Sequence, residues 1–389
     1  MHILLDYSLI LRRMPVVLFH LYITDDCNLS CRYCRGGMFE TIDGHDPCCE
    51  VSYDLPSDFD TALLPSLYSF LKKDPDPVLT FIGGEPLLKT DLICRIMDDI
   101  PGGRFMLQTN GLLLDRLPAE YRNRFETILI SIDGDEATTD QNRGDGVYSS
   151  IITIARAIRR EGFSHEIIAR MTIDEETDIA ASVLHLQNLK DSPFTSIHWQ
   201  INANFNSDYS KRHFSEWVLK SYNPGISELI QYWVDHMYSH AEVLGWYPFL
   251  QTTLDLLISN NTGLRCGSGS SNYTIQADGY VVPCPIMIGL KNTVVGDIRS
   301  NDSFDLPKVV PGPPCTDCSI IDFCGGRCLY SNLIHPWPEE GVRAVCSTVY
   351  HLRSSLVAHL PAIQRLIDDQ TITLSSFAHT RYNGCEIIP

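Results

Sequence analysis

The 389-residue chain is 44% hydrophobic and 20% charged, a composition typical of a globular protein with a substantial core. It has no apolar run of the roughly 20 residues that span a bilayer, so we do not expect a membrane protein. A net charge of −18 disfavours phosphate backbones, so we expect neither DNA nor RNA as a partner. The apolar stretch before Phe19 is broken by charges and has no cleavage site. We therefore predict no signal peptide, an alternative start at Met14 and a cytoplasmic location.

Short apolar segments alternate with helical patterns through the first half of the chain. The predicted strands are Val16–Thr24, Val78–Gly83, Phe105–Asn110, Thr127–Asp133, Glu166–Ile173 and Ser196–Ala203. The predicted helices between them include Asp58–Lys73, Leu88–Asp99, Val147–Gly162 and Glu176–Lys190. Apolar strands without polar alternation are typical of parallel sheets covered on both faces. We therefore predict an α/β architecture, either an open partial barrel or a doubly wound sheet.

The pattern changes near residue 205. A polar loop, Asn204–Arg212, precedes helices predicted around Ile226–Gly245 and Phe249–Ser259. A module rich in Cys, Gly and Pro follows, and its clearest element is a hairpin of Tyr273–Gln276 and Tyr280–Cys284 turned by Asp278-Gly279. A last helix is predicted near Val349–Asp369, kinked or split at Pro361.

Fourteen cysteines are the chain's most unusual feature. Without an export signal, tight cysteine spacings indicate metal or redox chemistry rather than disulfides. Cys27, Cys31 and Cys34 directly follow the first strand, and three thiolates on one loop can hold three irons of a cubane cluster. The fourth iron then keeps an open position, as a catalytic metal requires. The alternative is a zinc site completed by Cys48 or Cys49.

The CxxxCxxC spacing, with Tyr33 before its last cysteine, resembles the radical S-adenosylmethionine (SAM) superfamily. The resemblance implies a partial (β/α)6 barrel, here residues 14–205, followed by a helical linker, 206–264. It also implies that SAM chelates the open iron of a [4Fe–4S] cluster. One electron then cleaves SAM to a 5′-deoxyadenosyl radical, which abstracts a hydrogen atom from the substrate.

Further motifs at strand ends resemble SAM-contacting segments of that family. The resemblance assigns SAM contacts to Tyr33, Gly83, Gly84, Glu85, Pro86, Asn110, Ser131 and Arg170. We expect the glycines to allow a close backbone approach to the ligand. Glu85 would accept hydrogen bonds from the SAM ammonium group. Asp133 is either a catalytic proton acceptor facing the radical site or a structural turn residue.

Seven cysteines between 265 and 350 resemble the SPASM domain, which holds auxiliary clusters; residues 351–389 then form a C-terminal helix and tail. The resemblance assigns a distal [4Fe–4S] cluster to Cys315, Cys318, Cys324 and Cys346. It assigns a proximal cluster to Cys266, Cys284 and Cys328, for three clusters in all. Two zinc sites are the alternative. Seven thiolates leave the proximal cluster without an eighth ligand, so either one iron is open or a distant residue such as Cys385 closes it.

The resemblance implies an enzyme that modifies a peptide or protein, similar to anaerobic sulfatase-maturing enzymes. It also implies a reductant such as ferredoxin or flavodoxin. Only 26 residues precede Cys27, too few for the peptide-binding domain of many relatives. A leader would then be recognised by the barrel mouth, by a separate leader-binding protein, or not at all. The alternatives are a radical SAM enzyme acting on a small molecule and a non-enzymatic iron–sulfur or zinc protein.

Overall fold

The structure is a computed structural model that describes residues 17–34, 54–202, 209–379 and 388–389. Cys48, Cys49 and Cys385, together with the alternative start at Met14, lie outside these ranges. Within them, no helix has the length and apolar character that crossing a membrane requires.

The described residues form a mixed sheet of nine strands. The strands are β1 (Leu18–Tyr22), β2 (Val78–Ile82), β3 (Arg104–Thr109), β4 (Phe125–Ser131), β5 (Glu166–Ile173), β6 (Ser196–Ile201), β7 (Asn272–Ile275), β8 (Tyr280–Val282) and β9 (Gly296–Asp297). Their order is β6-β5-β4-β3-β2-β1-β7-β8-β9, and β1 to β6 are all parallel. Each of the six strands predicted in the first half is present within two residues of its expected start. The α/β class with a six-stranded parallel core is confirmed.

Helices connect the strands and cover one face of the sheet, which we call the outer face. The opposite face, which carries His20 and Arg170, is called the inner face. The α-helices are Leu64–Leu71, Thr90–Asp99, Ala119–Arg122, Glu136–Arg143, Val147–Arg160, Ile179–Gln187, Phe214–Trp217, Asn223–His240, Tyr247–Ile258, Ile321–Cys324, Leu329–Ile334 and Glu339–Asp368. Short 3₁₀ turns lie at Thr61–Leu63, Pro86–Lys89, Tyr209–Lys211, Pro285–Met287, Lys291–Thr293, Cys315–Asp317 and Leu374–Phe377, and Val218–Tyr222 is a π turn. Parallel strands with intervening helices bring all strand ends that precede the helices to one edge of the sheet.

The predicted hairpin exists, but it is not part of a separate layer. β7 pairs in parallel with β1, with Thr274 opposite His20, and β8 and β9 then extend the same sheet in antiparallel fashion. The cysteine-rich module therefore continues the core sheet past its first strand. The boundaries predicted at 205, 264 and 350 stay predictions.

The last helix differs from its prediction in start and continuity. It begins at Glu339, ten residues early, and runs unbroken to Asp368 with Pro361 inside it. A proline inside a helix costs about 3 kcal/mol through a lost hydrogen bond and a steric clash. Burial of Leu356 and Ile363, both fully buried, against the rest of the core offsets that cost. The predicted split at Pro361 is wrong.

Candidate active site

The first cysteine loop leaves the end of β1 at the edge where the parallel strands end. Thr24 is fully buried and donates its hydroxyl to Asp58 (2.6 Å), which anchors the start of the loop. Burial raises the pKa of the thiols of Cys27 and Cys31, and the charge of Cys34 raises both further. Cys34 therefore lies near enough to affect both thiols, and their binding of a cluster stays a prediction.

The segment Gly83–Glu85 lies directly against that loop. The amide of Gly84 donates to the carbonyl of Thr24, and the amide of Glu85 donates to the carbonyl of Asp26, both at 2.7 Å. A Cβ atom at Gly83 would lie 2.4 Å from the Thr24 carbonyl oxygen, and one at Gly84 equally close to that of Asp26. The glycines thus permit backbone contact with the cysteine loop, whereas we had expected contact with the ligand. SAM contacts of Gly83, Gly84 and Pro86 stay predictions.

Glu85 is buried and joins the ends of β2 and β3. Its carboxylate accepts from the hydroxyl of Thr109 (2.8 Å), the amide of Asn110 (2.7 Å) and the amide of Leu87 (3.0 Å). Burial raises its pKa, and these three hydrogen bonds oppose the rise. Its ordering of the strand ends is a role that the sequence did not reveal, and its contact with the SAM ammonium group stays a prediction.

Asn110 reaches from the end of β3 to the cysteine loop. Its side-chain amide donates to the side-chain oxygen of Asn28 (2.7 Å) and lies 3.9 Å from the sulfur of Cys27. The predicted site residue at this strand end therefore contacts the loop that carries the thiols. It can orient Cys27 whether or not it also contacts SAM.

Asp133 has an environment that argues against the predicted proton acceptor. Its carboxylate is fully buried and bound at 2.9 Å by Nε and Nη2 of Arg143. The hydroxyl of Tyr33 (2.6 Å) and the amide of Thr172 (2.9 Å) donate to it as well. A carboxylate that is already saturated with donors and closed to solvent has no lone pair directed at a substrate. These contacts favour the structural alternative for Asp133, and the proton-acceptor role stays a prediction.

Tyr33 is held by the same group. Besides its hydrogen bond to Asp133, its ring lies 5.4 Å from the guanidinium carbon of Arg143, a cation–π contact. Arg32 next to it donates to Asp174 (2.7 Å) and Glu176 (2.6 Å). Each side of the cysteine loop is thus fixed to the neighbouring strand ends. Sequence reasoning missed Arg143, because it lies on a polar helix with no apolar periodicity.

Ser131 and Arg170 are register partners on β4 and β5, so their side chains project from the same face of the sheet. Both are half-buried, and Arg170 donates to the side chain of Gln200 on β6 (2.9 Å). Arg170 therefore places a cation on the inner face near the strand ends. Its pairing with the SAM carboxylate, like the contact of Ser131, stays a prediction.

The inner face also carries a neutral histidine that sequence reasoning missed. The side-chain nitrogen of Asn272 donates to the carbonyl of Cys266 (2.9 Å), so its oxygen faces Nδ1 of His20 and accepts from it (2.8 Å). Burial lowers the pKa of His20 to about 4, although this hydrogen bond opposes the shift. The ring is therefore neutral near pH 7, with its Nε2 lone pair available as an acceptor. This pair ties β1 to the cysteine-rich module.

The second group of cysteines contains thiols that affect one another. Burial is the main cause of the raised pKa of Cys284, and the charges of Cys328 and Cys266 raise it further. Burial also raises the pKa of Cys346 and of Cys324; the charges of Cys315 and Cys318 add to the rise at Cys346, and the charge of Cys346 adds to that at Cys324. The charge of Cys328 likewise raises the pKa of Cys315, so the two predicted ligand sets are not separate in these influences. The membership of the proximal and distal sets stays a prediction.

A cavity of about 370 Å³ is available beside these thiols. Five cysteines line it, namely Cys315, Cys318, Cys324, Cys328 and Cys346. In the described ranges, no three Cys, His, Asp or Glu side chains are close enough to bind one metal ion. A zinc ion needs its sulfur ligands about 2.3 Å from one point, whereas a cubane offers each thiolate its own iron. The cluster assignment stays a prediction.

Comparison with known proteins matches residues 21–184 to the model of the radical SAM superfamily. An AdoMet-dependent heme synthase of Methanosarcina barkeri is 30% identical over 167 residues, 40% of this chain and 43% of the relative. A pre-heme d1 synthase of Dinoroseobacter shibae is 29% identical over 168 residues, 42% of this chain and 38% of the relative. The chain thus matches less than half the length of these curated relatives.

Two groups of solved structures share the fold. A structure of anSMEcpe with bound AdoMet and a Kp18Cys peptide superposes with a TM-score of 0.69 at 16% identity, covering 90% of this chain and 99% of the other. SuiB of Streptococcus suis, bound to the precursor peptide SuiA, gives a TM-score of 0.53 at 13% identity. That match covers 81% of this chain and 72% of the other. At these identities the likeness establishes the fold alone.

Proposed function

We propose that this chain, which carries a radical SAM domain over residues 21–184, cleaves SAM reductively and uses the radical to modify a peptide or protein side chain. The observation that carries the proposal is the first cysteine loop. Three neighbouring thiols lie at the carboxyl edge of the parallel strands, held by Gly84, Glu85 and Asn110 from the next two strand ends.

Cys27, Cys31 and Cys34 would hold three irons of a [4Fe–4S] cluster, with the fourth iron left for SAM. When bound, cluster and SAM together supply the one-electron cleavage that yields a 5′-deoxyadenosyl radical. Arg170 would pair with the SAM carboxylate from the inner face, and Ser131 beside it would hydrogen-bond the ligand. Asp133 and Arg143 act through Tyr33, which they hold between two of the thiols. Their role is to position the loop.

We further propose two auxiliary [4Fe–4S] clusters in the cysteine-rich module. The distal one would use Cys315, Cys318, Cys324 and Cys346, and the proximal one Cys266, Cys284 and Cys328. The cavity beside the distal set supports this assignment. The eighth position is either an open iron or a distant ligand such as Cys385.

A peptide or protein substrate is supported by the fold shared with anSMEcpe and SuiB, both of which have structures with bound peptides. The curated relatives support a second candidate, because three of them are named for the synthesis of heme compounds. That alternative substrate is a small heme-related molecule. We also propose that the electron comes from a low-potential reductant such as ferredoxin or flavodoxin. The proposal further includes a separate leader-binding protein and a cytoplasmic location.

Mass spectrometry of a candidate substrate tests the peptide assignment. A peptide encoded beside the gene is co-expressed anaerobically with the wild-type enzyme or with the Cys31→Ala variant. We expect a mass change that appears only with the wild type. Identical peptide masses in both samples, with a heme precursor consumed by the wild type instead, would favour the small-molecule alternative.

A further inference from the structure

The turn between Cys324 and Cys328 has an unusual backbone. Its three residues Gly325, Gly326 and Arg327 all have positive φ, at 68°, 95° and 47°. Glycine adopts such angles freely, but a residue with a Cβ atom is strained there. The arginine therefore occupies a position whose backbone favours glycine.

Steric contacts explain both glycines and leave the arginine unexplained. A Cβ atom at Gly325 would lie 1.8 Å from the carbonyl oxygen of Gly263, and one at Gly326 would lie 2.6 Å from the side chain of Pro311. Arg327 carries a Cβ atom at the third position of the turn, at a φ of 47°. Strained residues of this kind occur preferentially at functional sites.

The side chain of Arg327 lies where the distal thiols meet. It lines the same 370 Å³ cavity as those four cysteines, and its Nε donates to the main-chain oxygen of Pro389 (3.3 Å). The turn thus places a positive charge in the cavity that the four predicted distal ligands line.

Other charged side chains at the cavity do not duplicate this effect. Arg343 also lines it and is paired with Glu339, but its side chain is 68% exposed. Water therefore screens its charge. Arg327 is the guanidinium held by the turn itself, between two ligand cysteines.

We propose that Arg327 raises the reduction potential of the cluster bound by Cys315, Cys318, Cys324 and Cys346. The inference rests on the cluster assignment of the proposed function. Reduction adds one electron from a low-potential iron–sulfur or flavin protein, and no bond is made or broken. The reduced cluster is one unit more negative, so a fixed cation stabilises it over the oxidised form. Hydrogen bonds and charge near cluster sulfurs are known determinants of potential.

The test is an anaerobic redox titration of the full chain, followed by electron paramagnetic resonance. We expect Arg327→Gln to lower the reduction potential of the distal cluster by about 59 mV, which corresponds to about tenfold weaker reduction for a one-electron couple. In Arg327→Lys the distal cluster should keep a reduction potential close to the wild-type value. In all Arg327 variants the other clusters should keep their wild-type potentials. Arg327→Gly removes the charge while relieving the backbone, so it should fold and give the same shift. Arg343→Gln is the matched control and should leave every potential unchanged.

Unchanged potentials in Arg327→Gln and Arg327→Gly would overturn the inference. An equal shift in Arg343→Gln would overturn it too, because the effect would then be general surface charge. Failure of the wild type to cleave SAM, with the Arg327 shift intact, would overturn the proposed function and leave this inference standing. Absence of iron from the distal site would contradict the cluster assignment itself.

Discussion

Arg143 binds both carboxylate oxygens of Asp133 at 2.9 Å beneath the first cysteine loop. The two side chains are 6% and 0% exposed, so the pair is shielded from water. Tyr33 adds its hydroxyl to the carboxylate and its ring to the guanidinium. The position of the thiols on either side of Tyr33 therefore depends on a buried ion pair.

Asp133→Asn should destabilise the fold by about 3–5 kcal/mol, because it leaves the buried charge of Arg143 without its counterion. Urea unfolding of the anaerobic protein measures this change. The double variant Asp133→Asn with Arg143→Met should recover part of the loss, since no charge is then buried alone. Glu339→Gln breaks an exposed pair and serves as the control, with about 1 kcal/mol or less expected.

The same variant separates an anchor from a catalytic base. If Asp133 were the proton acceptor, Asp133→Asn would keep wild-type stability and full iron content, still form 5′-deoxyadenosine and fail only in product formation. That combination would contradict the anchoring role. We expect stability and iron content to fall together.

Tyr33→Phe should cost about 1.5–3 kcal/mol, the usual value for a hydrogen bond to a charged group. The ring and its contact with Arg143 remain, so the loss reports the 2.6 Å bond to Asp133. Tyr121→Phe is the matched control. It removes a similar bond to Asp98 (2.7 Å) at the surface, where water replaces the lost partner, so a clearly smaller loss is expected. Equal losses in both variants, measured by urea unfolding, would contradict the special role of Tyr33.

Gly84→Ala should displace the cysteine loop. Its Cβ atom would meet the carbonyl oxygens of Asp25 and Asp26, each at 2.4 Å, so the backbone has to shift at a cost of about 1–3 kcal/mol. Iron analysis after anaerobic reconstitution should show the loss of one cluster out of three. Gly102→Ala meets no atom within 4 Å and should retain full iron content. A Gly84→Ala protein with normal iron would show that the contact is unnecessary.

His20 should make stability fall with acid. Its pKa is lowered to about 4 by burial, from an ordinary value of 6.5, so below pH 6.5 the unfolded chain binds a proton that the folded chain does not. The stability conferred by the neutral ring is complete above pH 6.5 and declines toward pH 4. Between pH 7.5 and pH 5 the loss is about 2 kcal/mol.

The measurement for His20 is urea unfolding at several pH values, for the wild type and for His20→Gln. The glutamine can still donate to Asn272 but does not titrate. We expect the difference in unfolding free energy between the two proteins to shrink as the pH falls. A difference that is constant across this range would contradict the neutral, buried state of His20.

Local patterns in the sequence predicted most of the core. Each parallel strand is a short apolar run, and the motifs after the strands mark the edge where the site lies. These features depend on neighbouring residues, so periodicity and spacing reveal them.

Features that depend on distant partners were not predictable. The pairing of β7 with β1 joins residues about 250 positions apart, and nothing local in the hairpin specifies it. Asp133 at a strand end resembled a catalytic base because Arg143 lies on a short polar helix without a hydrophobic pattern. Pro361 suggested a kinked or split helix, whereas the packing that keeps the helix continuous through it is tertiary. In each case long-range contacts outweighed the local signal.

The central claim is that the first cysteine loop supports reductive cleavage of SAM. The reconstituted protein is incubated anaerobically with SAM and dithionite, and 5′-deoxyadenosine is measured by liquid chromatography with mass spectrometry. Cys31→Ala removes one loop thiol, whereas Cys94→Ala changes a thiol on the helix Thr90–Asp99, away from the loop. We predict 5′-deoxyadenosine from the wild type and Cys94→Ala but none from Cys31→Ala. No 5′-deoxyadenosine from an iron-loaded wild type, or equal amounts from Cys31→Ala, would contradict the claim.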